Sequence, residues 1–465
     1  MSFSERFIRL FRSVLPAPFT IAVLLTVVTW FLAFSLGDYP QADSLWLRAW
    51  EVSSSWEAGI WTNGLMVFAV QMMLMLVLGH VLALTKPVDA LIRKALVYCQ
   101  TTASAAATVV LLTMMVGWFN WGLGLIFGAI FARKVAEQAL EKGLSINYPL
   151  IGAAGYAGLM VWHGGLSGSS LTKVAEPGHL KSLMKGIYPP EQISVLPEQI
   201  DFSQTVFSPM NLVVTLLCFT VIPFVLFQVG KRAKPQPIDL KASPGSDHVV
   251  AEQLFGAERL DHSSWLGVGF GLILLGVVVL KATWFNEKGI LAFFTPNNIN
   301  LALLALGLLM HQKFSRFLQA LEEAIGGVSG ILIQFPLYFG IMGMMKESGL
   351  IHSFSEAIVA VSNDTTYPIF TFISAGIVNI FVPSGGGQWA IQGPIIVEAA
   401  RNIDVPLSKS ILAMAYGDQL TNMLQPFWAL PLLGITGLKA KDILPYTLLL
   451  FLLGGLIFLI GLLLF

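Results

Sequence analysis

Apolar residues fall in runs at roughly 19–36, 60–84, 97–131, 148–171, 207–229, 264–284, 299–311, 326–345, 366–400, 409–437 and 443–465, separated by short polar stretches. A helix needs about 20 residues to cross the hydrocarbon core of a bilayer. The pattern therefore predicts an all-α polytopic membrane protein in which most runs are single crossings. The runs 97–131 and 366–400 are each nearly twice that length and are interrupted, by NWGLG (120–124) in the first and PSGGG (383–387) in the second. Each reads as two tight crossings or as a re-entrant hairpin.

Composition agrees: 55% hydrophobic, 12% charged, mean hydropathy +0.73 over 465 residues is too apolar for a soluble domain. A net charge of zero gives no argument for nucleic acid as a partner. Cys99 and Cys218 lie inside apolar runs without short spacing, which predicts packing residues and neither a disulfide nor a thiolate metal site. Arg6, Arg9 and Arg12 precede a first run too long for a signal peptide, so a retained first helix is expected.

Basic residues set the sidedness, because short cytoplasmic loops carry the Lys and Arg excess. With the N-terminus cytoplasmic, the inner loops hold Arg93, Lys94, Arg133, Lys134, Lys231, Arg232, Lys241, Lys313 and Lys439, while Arg48, Lys173, Lys288 and Arg401 fall outside or near an outer helix end. The first hairpin then opens to the cytoplasm. The second, between Asn363-Asp364 and Arg401 to Asp404, opens outward, and the C-terminus is periplasmic. Residues 19–229 and 299–465 become inverted halves, with 264–284 as the odd crossing between them. Inverted halves with matching breaks are the architecture of secondary transporters. The expectation is about nine transmembrane helices plus two re-entrant hairpins in an elevator-type carrier. Its parts are scaffold helices (1–94), an inward-opening hairpin and broken helix (95–171), scaffold and linking helices (172–365), an outward-opening hairpin and broken helix (366–437) and a C-terminal scaffold helix (438–465).

Irregular backbone at membrane depth is tolerated where protein or a water-filled cavity satisfies it. At the second break Pro383 ends one helix, Gly385, Gly386 and Gly387 let the chain turn with bare amides, and the next helix is expected to start near Gln388. Free amides at a helix start favour an anion. Ser384 and Gln388 add polar groups, and Trp389, Trp162, Phe427 and Trp428 are candidates for lining an apolar pocket. The alternative is a glycine cluster for helix packing. Asn120, His163 and Ser167 are the first half's contribution to the same substrate site. In AMAYGDQLTNMLQPFWALP (413–431), Asp418, Thr421, Asn422 and Gln425 crowd into an apolar span. A carboxylate there is costly, so Asp418 is either a coupling-ion site or a cap on a broken helix. Glu398 and Arg401, three apart, read as an exposed helix pair.

VPSGGGQWAIQGP, AYGDQLTNMLQPFWALP and the order of segments resemble the bacterial short-chain fatty acid transporters over essentially the whole chain. The resemblance implies uptake of acetoacetate, butyrate or acetate across the bacterial inner membrane. It also implies a homodimer with scaffold and mobile parts, within the wider ion-transporter superfamily. That superfamily's sodium-coupled carriers place Ser-Asn-Thr at both hairpin tips; NWGLG and PSGGG depart from this, which favours a proton over sodium as coupling ion. No cofactor is expected. The bottom-up chemistry agrees with a small acid, since helix ends can hold one carboxylate and no basic residue is placed deep in a span. The other classes considered are a channel or exchanger for small organic anions and an intramembrane enzyme. Against the enzyme, the sequence offers no HExxH, no paired Asp motif and no base near Ser384.

Overall fold

Helices account for nearly all the regular structure of the computed structural model, which describes residues 18–39, 43–238, 240, 256–285, 293–382 and 384–465. Arg6, Arg9, Arg12, Lys241, Lys288 and Pro383 lie outside the described residues, as does the side chain of Phe427. The first part of the chain forms α1 (Pro18–Leu36), α2 (Leu45–Ile60), α3 (Asn63–Ala83), α4 (Lys86–Ala95), α5 (Thr102–Phe119), α6 (Trp121–Lys142) and α7 (Tyr148–Tyr156). Three short helices, α8 (Ser169–Val174), α9 (His179–Leu183) and α10 (Pro190–Ser194), lead to α11 (Pro209–Arg232). After α12 (Glu258–Asp261) and α13 (Ser264–Thr283) come α14 (Pro296–His311), α15 (Phe314–Ile325), α16 (Ser329–Glu347) and α17 (Leu350–Ala360). The chain closes with α18 (Thr366–Phe381), α19 (Gly385–Ile403), α20 (Leu407–Thr421), α21 (Pro426–Thr436) and α22 (Ala440–Leu464). Among the described residues the only β-type pairing is an isolated bridge between Lys185 and Tyr188.

Five helices, α3, α5, α11, α13 and α22, are long and apolar enough to cross a bilayer, and a sixth is reached if α15 and α16, bent by 41° at their junction, form one span. The expected nine crossings were counted from apolar runs, and several of those runs resolve into shorter or interrupted helices. Conversely, α2, α4, α15 and α17 were not expected. They are amphipathic, so their apolar residues recur at helical spacing and never form a run. In α15 the buried residues are Phe317, Ala320 and Ala324. In α2, Trp46 and Trp50 are exposed while Val52 and Gly59 are buried, as suits a helix lying at the membrane interface.

The order long helix, amphipathic helix, long helix, short helix, hairpin, interrupted helix, long helix occurs twice, from α1 to α11 and from α14 to α22. Across the two parts α1 packs on α16, α14 on α3, and α11 on α22; α13 packs on α14. α5 packs against α6, and α18 against α19 and α20. Close approach needs small residues: the carbonyls of Gly128 and Gly155 sit where each other's Cβ would be, so α6 and α7 touch backbone to backbone.

Candidate functional site

At the second break α19 begins at Gly385, not near Gln388, so all three glycines lie in its first turn. None of them has a positive φ. Their role is close approach rather than turning. A Cβ on Gly385 would lie 2.7 Å from Trp162 Cη2 and 2.8 Å from His163 Cε1, and one on Gly387 2.7 Å from Tyr338 Cδ2. Ser384 caps the helix: its Oγ accepts the Gly387 N–H at 3.2 Å, and its carbonyl accepts the Gln388 N–H at 2.8 Å. The first amides of the turn, on Gly385 and Gly386, are the ones a helix leaves without an intrahelical partner. Both residues line a small cavity of about 20 Å³ with Ser384, Trp121, Trp162, Ser169, Asn422 and Trp428, together with the apolar Met72, Leu159 and Phe335. The indole N–H groups of Trp121 and Trp162 are buried and unpartnered among the described residues. An indole N–H can only donate. The cavity thus lies at a helix start and beside two residues whose indole donors are buried without partners, surroundings that suit an anion.

The first break is built differently. Asn120 caps α6, its Oδ1 accepting the Leu123 N–H at 2.8 Å, and Ser167 Oγ accepts the Trp121 N–H at 2.9 Å. Trp121 meets both Trp162 (centroids 5.6 Å apart) and Trp428 (5.4 Å), tying the first tip to both interrupted helices. Tyr156, at the end of α7, donates to the carbonyl of Asn422 at 2.9 Å. The two hairpin tips and the two interruptions, 157–168 and 422–425, therefore meet around one volume.

Beside that volume lies a buried ionisable pair. His163 Nδ1 is 2.5 Å from Asp418 Oδ2, both side chains being at most 1% exposed, and Asp418 Oδ1 has no partner among the described residues. His163 Nε2 accepts the Ser170 backbone N–H at 3.1 Å and lies 2.8 Å from Ser170 Oγ. The Trp162 ring stacks on the imidazole with centroids 4.5 Å apart. Gln419 Oε1 accepts the N–H groups of His163 and Gly164, holding the irregular 161–168 backbone to α20. Asp418 lies in the last turn of α20 and caps no helix.

The predicted residues do not all serve one place. Ser384, Gly385, Gly386 and Asn422 line the cavity. Gln388 is turned to the carbonyl of Ala375 and to Gln392. Trp389 donates to His179 Nε2 at 2.9 Å, away from the cavity; burial and nearby Lys173 push His179 down to about 3, leaving that nitrogen free to accept. Thr421, Asn422 and Gln425 are knitted together by Asn379, which the sequence reading does not single out. Its Nδ2 is 2.7 Å from the Asp418 carbonyl, 2.9 Å from Thr421 Oγ1 and 3.1 Å from Asn422 Oδ1, and its own carbonyl accepts from Gln425. Asn379 is a polar residue alone in the apolar run IVNIF, a signal that was available. Lys173, placed near an outer helix end, is buried, paired with Glu176, and lies 5.5 Å from the Phe68 ring centroid. The Glu398–Arg401 pair does not form. Glu398 is buried and bonds His352 Nδ1 at 2.6 Å, while Arg401 donates to the Gln192 carbonyl.

A larger cavity of about 470 Å³ lies between α1, α16, α17 and the second hairpin, but its lining is apolar apart from Thr29, Thr371, Ser374, Tyr367 and Gln392, with no charged residue. It offers a carboxylate little. Cys99 and Cys218 are buried free thiols, and among the described residues no cluster of three His, Cys, Asp or Glu side chains is placed to hold a metal.

The solved structure of the Alcanivorax borkumensis YdaH transporter matches this fold with a TM-score of 0.52 at 14% identity, covering 95% of this chain and 98% of that one. Neisseria gonorrhoeae MtrF, described within a class of antimetabolite efflux pumps, matches with a TM-score of 0.54 at 13% identity, covering 99% and 97%. Both likenesses concern the fold alone. Sequence relatives named as short-chain fatty acid transporters occur in Escherichia coli (strain K12), 38% identical over 97% of this chain and 96% of the relative, and in Haemophilus influenzae, 35% identical over 98% of each. The family described as short chain fatty acid transporter matches residues 1–465, and the chain belongs to that family.

Proposed function

We propose that this protein is a proton-coupled carrier that takes up acetoacetate, butyrate or acetate across the bacterial inner membrane, the carboxylate being held at the start of α19. The observation that carries the proposal is the cavity at the second tip, where the Gly385 and Gly386 amides, the Ser384 hydroxyl and the indoles of Trp121 and Trp162 converge next to His163 and Asp418. A helix start and neutral donors suit a single carboxylate without an arginine. A volume of about 20 Å³ holds roughly one water molecule. Loading a two- to four-carbon acid therefore requires the tips to part, which suits alternating access better than a standing pore.

Coupling follows from proximity. Gly385 abuts the imidazole of His163, so a carboxylate on its amide and a proton on the His163–Asp418 pair would be close neighbours. Neutralising the pair's negative charge about 5 Å from a carboxylate relieves about 3 kcal/mol of repulsion at an effective dielectric constant near 20. Anion and proton would then each strengthen the other's binding. A sodium ion fits this locus less well, because the Asn379 amide already donates to the Thr421 and Asn422 oxygens such an ion would need.

In this reading the two series of elements, α1 to α11 and α14 to α22, are inverted repeats. The hairpins and interrupted helices move as a body against the remaining helices, which form the homodimer implied by the family resemblance. The N-terminus is cytoplasmic and the C-terminus periplasmic. Counterflow in proteoliposomes tests the carrier: butyrate loaded inside should accelerate entry of labelled butyrate, and entry that ignores internal butyrate indicates a channel. Sidedness is tested by cysteines at Asn363 and Asp404, which an impermeant reagent should label from outside, against cysteines at Lys94 and Lys134, which should be protected in intact cells. Labelling of Asn363 and Asp404 from opposite sides would remove the outward-opening hairpin and with it the inverted repeat.

A further inference from the structure

His163 is held by two neighbours that fix where its proton lies. A backbone amide can only donate, so the Ser170 N–H at 3.1 Å makes Nε2 the acceptor nitrogen. The ring proton is then on Nδ1, pointing at Asp418 Oδ2 at 2.5 Å. In this form the pair carries one negative charge. On the imidazole a second proton can enter only at the Nε2 lone pair, and there it would meet the Ser170 N–H head on. The hydroxyl of the same residue, 2.8 Å from Nε2, offers the alternative: it can rotate from donor to acceptor and receive the new N–H.

We infer that Ser170 is the positioning residue of the coupling step, its backbone N–H holding His163 in the neutral Nδ1–H form and its hydroxyl accepting from the imidazolium once a proton arrives. The inference rests on the proton-coupled reading given above. The step balances simply. One proton from the medium joins the Nε2 lone pair, the Ser170 N–H···Nε2 hydrogen bond is lost, Ser170 Oγ gains one, and the charge of the pair rises from minus one to zero. The consequence is mechanical as well as electrostatic, because Ser170 is in the first turn of α8 and Lys173, one turn on, is paired with Glu176 beside the Phe68 ring. Releasing the amide frees the start of α8 from the imidazole that anchors it to α20.

The groups around His163 leave few competitors for this role. From α20 come Asp418, Gln419 and Tyr416, whose hydroxyl is committed to Asn211. From α8 comes Ser170, from α19 the bare Gly385, and from the preceding residue the Trp162 ring. Asp418 is thus the one carboxylate in contact with His163 among the described residues.

Two measurements test the inference on the full-length protein in liposomes. In the first, 15N NMR of histidine-labelled protein, with the His163 resonances identified by their loss in His163→Gln, should show Nδ1 protonated and Nε2 bare at neutral pH. Acidification should protonate both, with the midpoint of proton-driven butyrate uptake. A protonated Nε2 at neutral pH, or an imidazole that does not titrate across the range in which uptake changes, overturns the inference. In the second, Ser170→Ala should move the pH midpoint of butyrate uptake at least one unit toward acid, a tenfold higher proton concentration, while Ser170→Thr, which keeps the hydroxyl, should restore it. Superimposable profiles for wild type and Ser170→Ala overturn the role of the hydroxyl. Wild-type counterflow at constant pH reads the transport proposal by itself, so its absence would remove that reading separately.

Discussion

The two hairpin tips are built from similar parts and end in different states. At the first, between α5 and α6, Asn120 and Ser167 occupy the N–H groups of Leu123 and Trp121, and the Leu76 backbone fills the space beside Gly122. At the second, Ser384 accepts the Gly387 N–H with its hydroxyl and the Gln388 N–H with its carbonyl, and Ser384, Gly385 and Gly386 line a cavity. One tip uses its donors to hold itself shut, while the other starts its helix beside a water-sized cavity. A broken helix is therefore not in itself a site; what matters is which of its orphan amides remain unsatisfied.

The largest effect is expected at the ionisable pair behind the second tip. Asp418→Asn keeps size and polarity but cannot carry the coupling charge, and should reduce proton-driven accumulation of butyrate by more than about tenfold while substrate exchange persists. Full accumulation on a pH gradient by this variant would make Asp418 a structural residue.

Next in size is a change that breaks the closed tip. A Cβ on Gly79 would overlap Asn120 Oδ1 and come within 2.8 Å of the Leu123 amide nitrogen. Gly79→Ala should then cost about 1–3 kcal/mol of stability through overpacking, read as a lower Tm in detergent. An unchanged Tm would mean the first tip is free to shift, and the contrast between the tips would fail.

A matched pair sharpens the comparison further. Both Asn120→Ala and Ser384→Ala remove an N-cap worth about 1 kcal/mol. The account expects the first to lower Tm with KM for butyrate unchanged. The second should raise KM about fivefold, because the lost hydroxyl also lines the cavity. If Asn120→Ala moved KM and Ser384→Ala did not, the ligand would belong to the other tip.

The smallest effect concerns the C-terminal part of α19. His352 stands between Glu398, at 2.6 Å, and Glu356, at 3.2 Å, and the hydrogen bond it donates to Glu398 raises its pKa above the usual imidazole value. A raised folded-state value means that the contact contributes fully below about pH 6.5 and is lost as pH rises through the raised pKa. The side chain is 61% exposed, so solvent screens the effect. Wild-type Tm should fall slightly more than that of His352→Gln as pH rises through this window; parallel curves would remove the link between α17 and α19.

How much of this was legible in the sequence follows from what each element looks like in one dimension. Continuous apolar runs announced α3, α11, α13 and α22, and Asn120 and the glycine tip stood out because breaks inside such runs are rare. The amphipathic α2, α4, α15 and α17 left no run to see. The start of α19 was misplaced because three glycines read as a turn, whereas their use is to let Trp162, Phe68, Phe335 and Tyr338 press against a helical backbone. Asp418 was conspicuous as a carboxylate in an apolar span. Its partner was not, since His163 lies 255 residues earlier in the chain and nothing local reveals the pairing. Glu398 was misread for the same reason: a neighbour three residues away is visible in sequence and His352 is not.

The central claim is that a carboxylate at the second tip and a proton on the His163–Asp418 pair travel together. Its most direct test is uptake of labelled butyrate into proteoliposomes under separately imposed proton and sodium gradients. The account predicts saturable uptake that an inward proton gradient drives above equilibrium and that a sodium gradient leaves unchanged. Uptake that follows sodium and ignores pH, or that never exceeds equilibrium under either gradient, would contradict it.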